Sequence, residues 1–289
     1  MRSTFRLNAL MVPVFALALV LSACGKSNDA GSTGGTSTTG GSSPTSGSSP
    51  TLNVPLKTAG VLTIGACIPA PGFEEGTLAD PKGFEVDIVN EIAKRLNIPT
   101  TKWIAAPFNS IFKPGPTQFD FDINEITITP ERSKVVAFSD PYFDANQGML
   151  VRSGTPIASA KTVADLKNYQ LGGQASTTGL QYIKDVIKPT KAPREYNTTN
   201  DAAHALAAGQ IDGFVMDVPI SIALTKQFPG TVVIGQFITN EQYGILFQKD
   251  SGLLPAVNTV LAAMKADGTL AALQNKWFPG STNLPVMSG

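Results

Sequence analysis

Two cysteines and one histidine in 289 residues leave little room for several kinds of chemistry. With only Cys24 and Cys67 there is no disulfide framework and no cysteine cluster for a metal. The single histidine, His204 in DAAHALAAGQ, falls on a short helical stretch, where a solvated surface position is expected. No metal site and no cofactor are therefore expected. An excess of one charge is missing too, since 22 basic residues stand against 22 acidic ones. That balance gives no electrostatic reason to expect a nucleic-acid partner. The N-terminal apolar run, Ala9 to Leu21, is shorter than the roughly 20 residues a spanning helix needs. No internal repeat is visible.

What is present begins with an export signal over residues 1–23. Arg2 and Arg6 precede the apolar run, and small residues close it. Leu21-Ser22-Ala23-Cys24-Gly25 resembles the lipobox of bacterial lipoproteins. That resemblance implies a diacylglycerol on the Cys24 thiol, palmitate among its acyl chains, and cleavage that leaves Cys24 first. Each buried CH₂ contributes roughly 0.8 kcal/mol, so a multiply acylated Cys24 holds a protein on a membrane without a spanning helix. The plainer alternative is ordinary cleavage with an unmodified thiol. Gly31 to Thr51 contains only Gly, Ser, Thr and Pro and cannot bury enough apolar surface to fold. Residues 24–53 are thus expected to be a tether, of which Gly31 to Thr51 as a flexible coil spans about 25 Å.

From Val54 onward the chain has length for one large domain or two small lobes. Strands alternate with helices along it. VLTIGA (Val61–Ala66) has the pattern of a buried strand, and FEVDIVNEIAKRLNI places Ile88, Val89, Ile92 and Leu96 at helical spacing. FDFDIN reads as a strand. TVADLKN, QLGGQ and TTGLQYIKDVI read as helix, strand and helix. DAAHALAAG is a helix stopped by Gly209 ahead of the strand IDGFVMD. YGILF is a further strand, followed by helices over Leu254–Lys265 and Thr269–Trp277. Such alternation predicts an α/β fold with mainly parallel sheets, whose ligands sit at the carboxyl ends of strands.

The segment TITPERSKVVAFSDPYF, Thr127 to Phe143, carries the first sign of a ligand. Thr129 suits an N-cap and Pro130 the first helical position. Arg132 then falls in the first turn, where the helix dipole disfavours a cation. A hydroxyl and a guanidinium gathered at a helix start suit an anion.

GFEVDIVNEIAKRLNI, TITPERSKVVAFSDPYF, AAGQIDGFVMD and MKADGTLAALQNKWF occur in the order found in bacterial extracellular solute-binding proteins of the amino-acid type, family 3. The resemblance spans about Val54 to Pro279. It implies a two-lobed periplasmic-binding-protein-like fold of type II, each lobe a mixed, mostly parallel sheet flanked by helices, joined by two hinge strands. Lobe 1 is expected over 54–144 and 241–284, lobe 2 over 145–240, and a C-terminal tail over 285–289. Hinges are expected near Asp144–Gln147 and Thr239–Tyr243. The family's members are receptor subunits of ABC importers. The expected partners are accordingly a free amino acid, an ABC permease in the cytoplasmic membrane, and the membrane itself through the lipid anchor. The expected state is a monomer on the extracytoplasmic face.

The same resemblance implies roles. Arg132 clamps the ligand's α-carboxylate, with the Thr127 hydroxyl and the backbone N–H groups of Thr177 and Thr178 beside it. Asp217 and the backbone carbonyl of Glu125 meet the α-ammonium. Phe108, Phe73 and Gln174 complete the expected site. Each has a plainer alternative: Arg132 paired with Glu131 or Asp140, Asp217 capping the turn before Pro219, Thr177 and Thr178 capping a helix, Phe108 and Phe73 packing in the core. Asp212 is expected to anchor a turn. Where relatives for cationic amino acids supply an acid and a stacking aromatic, this chain has Cys67 and Ala70. That substitution weakens the case for a cationic ligand, which Glu125 could partly restore, while the lack of a cationic residue beside the side chain and the charge of Glu125 count against an acidic one. Phe108 and Gln174 suit an apolar stem with a polar end, so a neutral polar ligand such as glutamine is expected first, a cationic one second and an acidic one last. An exported dehydratase acting on prephenate or arogenate is the alternative on the same scaffold. No nucleophile–base pair is evident to support it, so an enzyme is not expected.

Overall fold

The computed structural model describes residues 54–280 and 283–289. The export signal, Cys24 and the tether lie outside the described residues. The first half of the fold runs β1 (Val61–Ala66), the hairpin β2 (Glu75–Thr77) and β3 (Asp80–Lys82), α1 (Phe84–Arg95) and β4 (Thr100–Ala105). It continues with the short strand β5 (Phe121–Asp122), the single turn α2 (Pro130–Ser133) and β6 (Ala137–Phe138). A long strand, β7 (Phe143–Arg152), then leads to β8 (Leu171–Gln174), α3 (Thr178–Tyr182), β9 (Arg194–Tyr196) and α4 (Thr199–Ala207). After β10 (Gly213–Asp217) and α5 (Val218–Gln227), the chain returns along β11 (Thr231–Tyr243) to β12 (Leu246–Phe247), α6 (Leu254–Ala266) and α7 (Thr269–Trp277).

These strands form two five-stranded sheets, ordered β4-β1-β5-β12-β6 and β11-β7-β10-β8-β9. In the first, β1 pairs parallel with β4 and β5, and β12 runs antiparallel to β5 and β6. In the second, β8 pairs parallel with β9 and β10, and β7 runs antiparallel to β10 and β11. The strand order turns back on both sides of β1, so a crevice opens at its carboxyl end, where such sheets bind ligands. The architecture is the two-lobed, helix-flanked α/β fold that the sequence predicts.

Local chemistry accounts for the elements that frame the crevice. In α1, Val86, Ile88, Val89, Ile92 and Ala93 are buried, and Glu85 and Asp87 lie in the first turn where the dipole favours acids. Thr129 caps α2 by accepting from the Arg132 N–H at 3.1 Å. Thr177 caps α3 by accepting from Leu180 N–H at 3.2 Å. Gly179 allows α3 to sit against β10, because a Cβ there meets the Val215 carbonyl oxygen at 2.7 Å.

Four features depart from the pattern. TVADLKN forms only a 3-10 turn at Ala164–Leu166, and YGILF is not one strand, since Tyr243 ends β11 and Leu246–Phe247 form β12. The strands β7 and β11 pair antiparallel over most of their length, with register shifts at Val233/Gly235 and Phe237/Glu241. Residues 284–288 do not form a free tail. Gln236 N–H donates to the Pro285 carbonyl, Met287 N–H to the Gln236 carbonyl and Val163 N–H to the Ser288 carbonyl. The end of the chain thus lies along β11 of the second sheet, with Met287 buried.

Candidate functional site

Four strand ends converge on one cavity. Cys67 to Ala70 follow β1, Asn124 to Thr127 follow β5, Gln174 to Gly179 follow β8, and Asp217 ends β10. The cavity has a volume of about 130 Å³, well below the roughly 300–1,000 Å³ of pockets for drug-sized ligands. Among the described residues, Arg132 is the one basic side chain lining it, and Glu125 and Asp217 are the acids.

Arg132 spans the cleft. Its Nη1 donates to the Thr127 carbonyl at 2.6 Å and its Nη2 to the Ser176 carbonyl at 2.9 Å, so residues from both sheets hold the fork. The guanidinium carbon stands 4.4 Å from the Phe112 ring centroid and 5.5 Å from that of Phe108, within cation–π range. Among the described residues it forms no ion pair with Glu131 or Asp140. Burial lowers its pKa to about 10, against the pull of Asp217 and Glu241.

Asp217 opens α5 without capping it through its side chain. Its carboxylate instead accepts from Gln147 Nε2 at 2.5 Å. Burial, then repulsion from Glu241, raises its pKa to about 7. A cation arriving beside it restores the ionised form.

Other expected residues line the cavity with their own partners. The Thr127 hydroxyl donates to Glu241 Oε2 at 2.7 Å, and the Thr178 hydroxyl donates to the same oxygen at 2.7 Å. The Thr177 N–H turns back toward the Gln174 carbonyl at 3.4 Å, so the expected orientation toward a ligand is corrected for that group. Gln174 Oε1 accepts from the Thr199 hydroxyl at 2.7 Å. Phe108 both lines the cavity and packs edge-on against Phe112. Glu125 faces the cavity in a left-handed conformation (φ 47°), and Ser176 across the cleft is left-handed as well (φ 67°). Such backbone states in non-glycine residues recur at binding sites.

Phe73 requires correction. It is fully buried and does not line the cavity. Its ring packs against Phe84, Phe143, Tyr243 and Phe278 at centroid distances of 4.7–5.9 Å, an aromatic cluster behind the cleft. Asp212 anchors a turn, accepting from Gln170 N–H at 2.8 Å. His204 is exposed on α4 and does not line the cavity that Cys67 lines.

Sequence reasoning missed Asn124, Gln147 and Glu241. Gln147 is 1% exposed, and its Nε2 donates to Thr178, Asp217 and Glu241. A usable signal existed: Phe143, Ala145, Gln147 and Met149 alternate inward along β7, and a polar residue at an inward strand position needs partners.

The sequence pattern of the bacterial extracellular solute-binding proteins, family 3, matches residues 62–280. ABC transporter arginine-binding protein 1 of Escherichia coli (strain K12) is 31% identical over 226 residues, 75% of this chain and 90% of that protein. The L-cystine-binding protein TcyJ of the same organism is 30% identical, over 77% of this chain and 84% of its own. Among solved structures, an ancestral arginine-binding protein bound to glutamine superposes with a TM-score of 0.70 at 33% identity, covering 77% of this chain and all of its own.

Proposed function

The chain belongs to the bacterial extracellular solute-binding proteins, family 3, and on that premise we propose that it is the receptor of an amino-acid ABC importer, closing two lobes around a free α-amino acid. What carries the reading is one cavity lined by Arg132 from the first sheet's side and Asp217 from the second. A zwitterion needs an anion clamp and a cation acceptor in fixed relation, and a planar guanidinium offers a carboxylate two parallel charge-assisted bonds. In this proposal Arg132 takes the α-carboxylate and Asp217 the α-ammonium, while Thr127, Thr178, Gln174 and Phe108 bound the ligand. The hinges lie in β7 near Asp144–Gln147 and in β11 near Thr239–Tyr243. Ligand contacts from both lobes then favour the closed state.

An enzyme that worked here by covalent catalysis would need a nucleophile–base pair. Cys67 faces the cavity, but His204 is on the outside of α4, which favours a binding protein. Cys24 is proposed to carry the lipid that keeps the receptor beside its permease. Mass spectrometry of natively purified protein tests both parts. A free amino acid released on denaturation and an acyl mass on the Cys24 peptide are expected. A non-amino-acid solute overturns the receptor reading, and an unmodified Cys24 overturns the anchor.

A further inference from the structure

Arg132 and Asp217 answer the two charges of a zwitterion, which leaves several further buried acids unexplained. Behind Cys67 and Glu125 lie Glu74, Glu85 and Asp122, each fully buried. Both carboxylate oxygens of Glu74 and Asp122, and Oε2 of Glu85, lack a hydrogen-bond partner. Among the described residues, no basic side chain forms an ion pair with any of them. Buried carboxyl groups left this way are costly. Glu125 joins this nest to the cavity. Its N–H donates to Glu85 Oε1 at 2.9 Å, while its own Oε1 is buried without a partner. A second, separate acceptor is buried beside the same space: Gln147, a cavity-lining residue 1% exposed, has its Oε1 without a partner next to Gly179, which also lines the cavity.

Resting on the receptor reading above, we propose that the ligand is an amino acid with a cationic side chain, that Glu125 receives the second positive charge, and that the acid nest behind it gives up a proton on binding. A neutral amino acid adds no net charge to this cleft, whereas a cationic one offsets one of its surplus carboxylates. Among the described residues, no three of His, Cys, Asp and Glu converge as a metal site, which turns the nest toward an organic cation. This proposal exchanges the first two places of the order expected from the sequence, because Glu74, Glu85 and Asp122 are buried behind the cavity lining that Cys67 and Glu125 form.

The surroundings of Glu125 set the sign of the pH effect. Burial, then repulsion from Glu85, Asp217 and Cys67, pushes its carboxyl well above the usual range. Burial pushes Glu74 and Asp122 well up and Glu85 to about 7, although Tyr142 donates to Glu85 and the start of α1 favours its ionised form. Glu241 and the phenol of Tyr243 lie on the β11 side, and Arg132 closes the far end. The nest is therefore largely protonated in the absence of a cation. When one arrives, a carboxyl O–H breaks and its proton passes to the buffer. Affinity for a cation must rise with pH.

Titration calorimetry on ligand-stripped protein tests this with L-arginine and its neutral isostere L-citrulline, in two buffers of different ionisation enthalpy. Arginine is expected to bind at least about tenfold tighter, to release about one proton, and to gain up to about tenfold in affinity per unit between about pH 5.5 and 7. Glu125→Gln should collapse the arginine-to-citrulline ratio and abolish the released proton. Glu74→Gln, which leaves the cavity lining intact, should reduce proton release if Glu125→Gln does not fold. Citrulline binding as tightly as arginine, or arginine binding without proton release, overturns the cation subsite and leaves the receptor reading standing. Binding of no amino acid at all overturns both.

Discussion

Arg132 is held by backbone carbonyls from opposite sides of the cleft, an arrangement that depends on the guanidinium's shape as well as its charge. Lysine keeps the charge but has one nitrogen and no plane to stack on Phe112. Arg132→Lys and Asp217→Asn are each expected to weaken ligand binding about tenfold to hundredfold, the range for a lost charged hydrogen bond. Calorimetry measures this, and an unchanged circular dichroism spectrum shows that the fold survives. Near-normal affinity in either variant removes that residue from the site. Both residues were legible in the sequence because each sits in a short motif at a strand end or helix start. Gln147 and Glu241 were not, since their roles depend on the register between β7 and β11, which begin nearly ninety positions apart. For Phe73 the core alternative holds over the expected place in the site, because packing against the remote Phe143, Tyr243 and Phe278 decides which way it faces.

Among the elements, the last two helices announced themselves well. Thr269–Trp277 matches its predicted bounds, and Leu254–Ala266 differs from its prediction by one residue. Their apolar spacing is local, and so is their capping chemistry. The long strands and the end of the chain are different, because their partners are remote. Asn146 Oδ1 accepts from Thr239 N–H at 3.0 Å and Asn240 N–H at 3.1 Å, pinning the irregular stretch of β11 beside the proposed hinge. Farther along β11, Gly235 leaves the space that Met287 fills, as a Cβ there meets Met287 Cγ at 2.5 Å. Met287 is 3% exposed and packs in the core of the second sheet with Met149, Val163 and Phe237. Met287→Ala is therefore expected to lower stability by about 2–5 kcal/mol, the range for buried methionine truncation. Urea unfolding should show a lower midpoint at an unchanged slope. A midpoint within error of the parent shows that residues 284–288 add nothing to the second sheet's stability.

For the molecule as a whole, buried acids set the direction in which stability changes with pH. Surface carboxylates act in the familiar sense: Thr269 and Arg95 hold Asp267 down to about 2, and its contribution is lost only as acid is added. The buried set acts oppositely. Glu85 and Asp217 both titrate at about 7, and Glu74, Asp122 and Glu125 lie well above their usual range. The native state therefore keeps protons that the unfolded chain releases near pH 4, and stability falls as pH rises through that window. For Glu85 alone, a rise from 4.5 to about 7 corresponds to a loss on the order of 3 kcal/mol across it. Ligand-free protein should melt highest near about pH 5 and progressively lower toward about pH 8. Saturating ligand that brings a cation to the nest should flatten that slope, because binding to the native state adds its own stabilisation where the acids ionise. Differential scanning calorimetry across this range, with and without L-arginine, measures both slopes. A melting temperature that holds or rises from pH 5 to pH 8 without ligand would mean that these carboxyl groups ionise freely in the folded protein. The acid nest would then impose no cost for a ligand to relieve.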